Sequence, residues 1–280
     1  MTNRCCCYPH AHVGTLGDCT AADLVGRYVV VVQERGCPNH TGQTTCDFQD
    51  AHVSFFRPGH DSLSRPGLMG GQSLVLAFDS DILANDADGL GGYTFFYYQY
   101  SESLHLSNRE KLRFKKLLHD IEEEISYAQD EYTNTLTAYR IKILLDYCRR
   151  FYHRQFLTRG LIIDSAYREL QHLIDDYQQS DHYSPCLPAT LQAQFAQRLG
   201  MSETYLDDLV KAKTGTNFKQ FMSLRIIKLA EHLLADTDLP VKAIAQRLNY
   251  PTLQCFCSHF ASIRLCSPSA FRAKLRPTED

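Results

Sequence analysis

In the first third of the chain the apolar positions fall in short runs of β-branched and aromatic residues, Tyr28 to Gln33, Ala51 to Phe56, Ser73 to Phe78 and Tyr93 to Tyr100. Turn residues separate them at Gly36-Cys37-Pro38, Arg57-Pro58-Gly59, Arg65-Pro66-Gly67 and Gly89 to Gly92, a pattern that predicts a small antiparallel barrel or sandwich. After Ser107 the period becomes helical. Ser107 with Glu110 reads as a capping box, continued by Leu112, Leu117, Leu118, Ile121 and Ile125 as one amphipathic helix. A second helix is expected from about Glu131 to Phe156, burying Ala138, Ile141, Leu144, Leu145, Cys148 and Phe151. The run Glu122-Glu123-Glu124 reads as a solvated face. Arg149, Arg150, His153, Arg154 and Arg159 read as cations complementing a helix C-terminus.

From Pro188 to Arg276 the pattern is helical and written twice. Ala196-Gln197-Arg198-Leu199-Gly200 returns 49 residues later as Ala245-Gln246-Arg247-Leu248-Asn249. Gly200 and Asn249 suit the left-handed residue that ends a helix, and Ser202 and Thr252 suit the N-cap of the next. Each copy therefore reads as a helix-turn-helix, whose second helix is shaped to enter a major groove. Leu206 and Val210 map onto Phe256 and Phe260, and Leu209 and Leu253 extend the apolar stripes. Between the copies Phe218, Phe221, Met222, Ile226, Leu229, Ala230, Leu233 and Leu234 mark one long helix from Asn217 to about Ala235.

The residues Ser202, Tyr205-Leu206, Lys211, Thr214-Gly215, Arg225, Ala230, Leu233-Leu234, Ile244-Ala245, Phe256, Phe260, Ser267-Pro268 and Phe271-Arg272 resemble the DNA-binding domain of the AraC family of transcription regulators (AraC/XylS). The resemblance covers about 90 residues. It implies an α+β multidomain chain: an N-terminal cupin-like antiparallel β-barrel with a helical dimerisation segment, then a C-terminal all-α domain of two helix-turn-helix units joined by a long helix. The expected divisions are 1–103 for the barrel, 104–160 for the helical segment, 161–187 for a bridging helix and linker, and 188–280 for the DNA-binding domain. The implied partners are double-stranded promoter DNA, a second copy of the chain, RNA polymerase and a small-molecule effector.

Charge sharpens this division. Of the net −3, residues 188 to 280 hold 12 Lys and Arg against 8 Asp and Glu, or +4, and the rest hold 17 against 24, or −7. Only the C-terminal part suits phosphate. Eleven Cys, an odd number without CxxC pairs, and no signal peptide or membrane span point to a reducing cytoplasm. Cys5, Cys6, Cys7, His10 and His12 fit no closed zinc pattern, so no metal or cofactor is expected. Phosphate-loop and nucleophile-elbow signatures are absent, and no catalytic constellation replaces them. The chain reads as a non-enzyme.

Helical offsets put Ser202, Thr204, Asp207, Asp208 and Lys211 on or beside the open side of the first reading helix, and Thr252, Gln254, Cys255, Ser258 and His259 on that of the second. The resemblance gives these positions base and phosphate contacts. Asp208, Ser258, Ala261 and Ser262 depart from it, because family members carry Arg or Lys there, and Leu265 stands where a Gly is usual. Two readings stay open for the barrel aromatics Tyr28, Phe55, Phe78, Tyr93, Phe95 and Tyr97: the lining of an effector pocket, or plain core. Two also stay open for the whole chain: a sequence-specific regulator, or an interaction protein with a weakened DNA-binding domain whose barrel binds a protein partner.

Overall fold

The computed structural model describes residues 11–15, 24, 26–34, 51–59, 73–83, 89–128, 130–158, 160–180, 183–185 and 190–275. Cys5 to Cys7, His10, the turns at Gly36-Cys37-Pro38 and Arg65-Pro66-Gly67, Arg159 and residues 186–189 lie outside them. The chain divides into two compact units, Met1–Ile163 and Asp164–Asp280.

Unit 1 is built on strands β1 (Ala11–Thr15), β2 (Tyr28–Glu34), β3 (Ala51–Phe56), β4 (Ser73–Phe78) and β5 (Leu104–Leu106). They form one antiparallel sheet in the order β1-β4-β2-β3-β5. Four consecutive valines, Val29 to Val32, are buried, so β2 fills both faces of the sheet centre. Among the described residues the sheet is open, which corrects the expectation of a closed barrel. A helix, α1 (Asn108–Ser126), packs against both edge strands, β1 and β5, and covers edges that closure would have removed.

The run Tyr93 to Tyr100 is not a strand. It folds as successive 3-10 turns at Leu90–Gly92, Thr94–Tyr97 and Tyr100–Glu102. A half-buried strand must alternate, whereas Phe95 and Phe96 are both buried while Tyr97 is exposed. The conflict between β propensity and one-sided burial resolves in favour of burial.

One row of the sheet interior is polar. Register places Ser73, Gln33, His52 and His105 side by side across β4, β2, β3 and β5, all buried. His52 Nε2 lies 2.8 Å from Gln33 Oε1, which also accepts from the Tyr100 hydroxyl at 3.2 Å.

The Ser107–Glu110 capping box starts α1 as expected, with each backbone N–H donating to the other's side chain. The helix buries Leu118 and Ile121 as expected and half-buries Leu117 and Ile125, but at its start Leu112 is exposed and Phe114 takes the buried place. Glu124 is buried rather than solvated, because Arg140 of helix α2 (Thr133–Thr158) reaches its carboxylate at 2.8 Å. The basic cluster does not serve the end of α2. Arg154 forks onto Glu110 at 2.8 and 3.1 Å and donates to the His105 carbonyl at 2.7 Å, while Arg149 lies over the Tyr93 ring and Arg150 over Tyr147. Arg154 and Arg149 fasten α2 to its own unit, while the Arg150 contact stays within the helix.

Unit 2 takes in most of α3 (Gly160–Gln179), then α4 (Leu191–Arg198), α5 (Glu203–Thr214), α6 (Phe218–Asp236), α7 (Val241–Arg247), α8 (Leu253–Arg264) and α9 (Pro268–Leu275). Helix α6 serves two cores. Its first half packs on α5, and Ile226, Ile227, Ala230 and Leu234 join Ile244, Ala245, Leu248, Tyr250, Phe256 and Phe260 in the second. Helix α3 docks on the first core through Tyr167 against Phe221, Tyr177 against Phe195, and ion pairs Asp164–Lys213 and Asp175–Arg225. Among the described residues no helix is long and apolar enough to cross a membrane.

Candidate nucleic-acid interface

The repeated phrase becomes a repeated turn. After α4, Gly200 takes φ 66° and donates to the Gln197 carbonyl, while Met201 donates to that of Ala196. After α7, Asn249 takes φ 55° and donates to Gln246, while Tyr250 donates to Ala245. Both are Schellman turns, and they satisfy helix-end carbonyls in the same way. The next helix is then capped in each copy: Ser202 Oγ accepts from Tyr205 N–H at 3.2 Å, and Thr252 Oγ1 from Cys255 N–H at 3.1 Å. The likeness continues past the reading helices, since α5 ends at Gly215 and α8 at Leu265, both left-handed, and Asn217 and Ser267 cap the helices that follow.

These turns fix which side chains face outward. On α5, Tyr205, Leu206, Leu209 and Val210 are buried, leaving Lys211 exposed and Thr204 and Asp208 half-exposed. On α8, Phe256 and Phe260 are buried, leaving Gln254, Cys255 and Ser258 exposed and His259 half-buried. Leu253 stands at the exposed start of α8 instead of extending the apolar stripe, and Leu265 projects almost wholly into solvent. Ser202 and Thr252 spend their side-chain oxygens on capping, so they orient the reading helices.

Asp207, half-buried, is engaged by the next helix. Its Oδ1 accepts from the Phe218 backbone N–H at 2.8 Å, closing one of the open donors at the start of α6. The contact spans 11 residues and ties the first reading helix to the long helix. Asp207→Ala is therefore expected to lower stability by about 1 kcal/mol while sequence preference stays unchanged. A chemical-denaturation midpoint measured beside a binding profile on a set of duplexes checks this. An altered preference with full stability would return Asp207 to the reading face.

The cations around these helices are unequally available. Lys213 is held 2.5 Å from Asp164, and Arg264 Nη2 lies 2.7 Å from Glu231. Lys211, Arg198 and Arg247 are exposed and have no side-chain partner among the described residues. Arg198 and Arg247 close the last turns of α4 and α7 in equivalent positions. The repeat itself was the signal for them. Burial lowers the pKa of His259, so its ring is neutral near pH 7. The exposed row of α8 thus offers hydrogen bonds and a thiol but no charge.

The candidate effector residues of unit 1 meet each other. Tyr28 stacks on Phe78 with centroids 5.8 Å apart, Phe55 lies 4.4 Å from Phe95, and Tyr93 lies 5.7 Å from Phe95, with Phe96 between the groups. Tyr97 is exposed beneath the Arg57 guanidinium, and after burial its nearness is the second cause that raises the pKa of Tyr28. Beside Phe55 and Phe95, a cleft lined also by Tyr98, Gln99, Tyr100, Ser103 and Tyr152 has room for about one water molecule.

A family described as a helix-turn-helix domain matches residues 195–274. An uncharacterized HTH-type transcriptional regulator, YtdP of Bacillus subtilis, is 31% identical over 83 residues, 30% of this chain. The chain spans 11% of that relative's length. Among solved structures, the C-terminal domain of AraT, a response regulator from Geobacillus stearothermophilus, is 26% identical, with 41% of this chain and 90% of that one covered at a TM-score of 0.33. ToxT from Vibrio cholerae with an unsaturated fatty acid bound is 11% identical, with 92% and 90% covered at a TM-score of 0.33. The matched span begins in α4 and ends in α9, so it encloses both Schellman turns and both capped reading helices; residues 195–274 are a helix-turn-helix domain of the AraC type.

Proposed function

We propose that the chain is a sequence-specific, DNA-binding transcription regulator that acts as a homodimer. The observation that carries this reading is the duplicated, identically capped helix-turn-helix, whose two reading helices hang on one rod. Helix α6 has 19 residues, and at ~1.5 Å each it is about 28 Å long, near the ~34 Å between successive major grooves on one face of a duplex.

Dimerisation is assigned to α2. Leu136, Tyr139 and Ile143 are exposed at heptad spacing on the side opposite the buried Ile141, Leu144, Leu145 and Cys148, and exposed Tyr132 directly precedes the helix. An effector, if it enters unit 1, acts by wedging open the closed aromatic cluster at the cleft beside Phe55 and Tyr152, and shifts the chain only by binding the opened arrangement more tightly. A second reading rests on the uncharged exposed row of α8, with exposed Leu253 and Leu265 at the two ends of the helix, a surface that suits a protein partner.

Fluorescence anisotropy of the full chain on duplexes from its own upstream region, at two salt concentrations and against random duplex, tests the first reading. Selective binding with a shallow salt dependence is expected, because few cations are free to meet phosphate. Lys211→Ala should weaken binding to all duplexes and reduce the salt slope by about 1. Gln254→Ala should cost ~10-fold on the selected duplex only, and Ile143→Glu should leave a monomer on sedimentation. Binding no better than to random duplex, with nothing enriched from genomic DNA, would make the protein-partner reading the better one.

A further inference from the structure

The exposed row of α8 carries no charge, so any base contact it makes is a neutral hydrogen bond, and the surroundings of His259 supply one. Tyr250, buried in the second core, closes the Schellman turn through its backbone and packs its ring edge-on against Phe256 at 5.1 Å. Its hydroxyl lies 2.7 Å from His259 Nδ1, with the two rings 5.9 Å apart. His259 follows Ser258 directly and stands four residues after Cys255, at the border of the exposed row of α8. Its Nε2 has no protein partner among the described residues.

A neutral imidazole has one N–H donor and one bare nitrogen acceptor, and the hydrogen bond made by one nitrogen sets the state of the other. A tyrosine hydroxyl keeps its proton until about pH 10 and can donate it to Nδ1, which leaves the ring proton on Nε2. We infer that His259 is a base-reading donor of the second helix and that the Tyr250 hydroxyl is its positioning group, holding the ring so that Nε2–H is offered to an acceptor on a base edge in the major groove. Guanine N7 and O6, adenine N7 and thymine O4 have the required chemistry. Tyr250 is proposed to bear on the base through His259 and not by touching it. The inference rests on the reading of α8 as a DNA-contacting helix.

The test starts with the full chain selecting from a randomised duplex library, followed by anisotropy on the selected duplex and on random duplex. Tyr250→Phe removes one oxygen and keeps the ring on Phe256. It is expected to weaken binding to the selected duplex 3–10-fold, on the order of one hydrogen bond, with random duplex within about twofold. His259→Ala should weaken the selected duplex by ~10-fold or more, and the double variant should bind no more weakly than His259→Ala alone, because the two residues act as one unit. Nitrogen-15 spectra of the free protein should show His259 protonated on Nε2, with the preference relaxed in Tyr250→Phe. Additive losses in the double variant, a proton on Nδ1 in the wild type, or selection that survives His259→Ala each overturn the inference alone. A wild-type chain that selects no duplex overturns the DNA-binding reading, and this inference with it.

Discussion

Phe256→Ala is expected to cost 3 to 5 kcal/mol, the range found for deleting a fully buried phenyl group (~3–5 kcal/mol). Phe256 has no exposed surface and lies 5.1 Å from the Tyr250 ring and 5.9 Å from that of Phe260. It closes a core to which α6, α7 and α8 all contribute. Small domains hold about 5–15 kcal/mol in total, so the loss approaches complete unfolding of the second helix-turn-helix. The first has its own core around Leu206, Leu209 and Phe218, and unit 1 has another. Thermal denaturation with amide spectra should therefore show the signals of α7 and α8 collapsing before the others. Cys257→Ala, one residue away and half-buried, should cost less than about 1 kcal/mol. A loss of that small size from Phe256→Ala would mean that the second core is not the unit described.

Acid is expected to loosen unit 1 in a defined window. His52 is buried in the polar row, and burial first, then the neighbouring His105, lowers its pKa from 6.5 to about 4. The unfolded chain takes up a proton near pH 6.5, which the folded chain refuses until about pH 4. The neutral ring's contribution is therefore fully present above pH 6.5 and is lost as pH falls toward 4. Near pH 5 the loss from this one group is on the order of 2 kcal/mol. Urea midpoints at pH 7.5 and pH 5 measure it, and His52→Met should flatten the difference. Equal midpoints in the wild type would show that the row is hydrated and that its ring protonates in place.

What was legible in the sequence follows the range of the interactions involved. The helix-turn-helix pair could be read because its signals are local: Gly200 and Asn249 at the turns, Ser202 and Thr252 at the caps, and the Leu206–Val210 and Phe256–Phe260 pairs on one face. Three of the four strand runs were legible for the same reason. What could not be read comes from contacts between separate elements. Asp207 has the offset of a reading residue, and only the folded α6 reveals that its carboxylate is needed by Phe218. Glu124 sits in an acidic run, and only the approach of Arg140 explains its burial. Strand β1 pairs with β4 more than sixty residues away, Ala11 opposite Phe78, so its short apolar content carried little local sign of it. Tyr93 to Tyr100 has the composition of a strand, but the aromatic cluster it completes requires Tyr93, Phe95 and Phe96 on one side.

The uncharged row of α8 also bears on how many molecules a cell would need. Every chromosome presents millions of competing sites, and a regulator rich in free cations spends most of its time stored on them. Here Gln254, Cys255, Ser258 and His259 offer no charge for such storage, and Lys213 and Arg264 are already occupied by Asp164 and Glu231. In the regulator proposed above, the open cations Lys211, Arg198 and Arg247 would be left to hold the chain on such sites, so less protein would be sequestered and promoter occupancy would follow the free concentration of the chain rather than the amount of DNA around it.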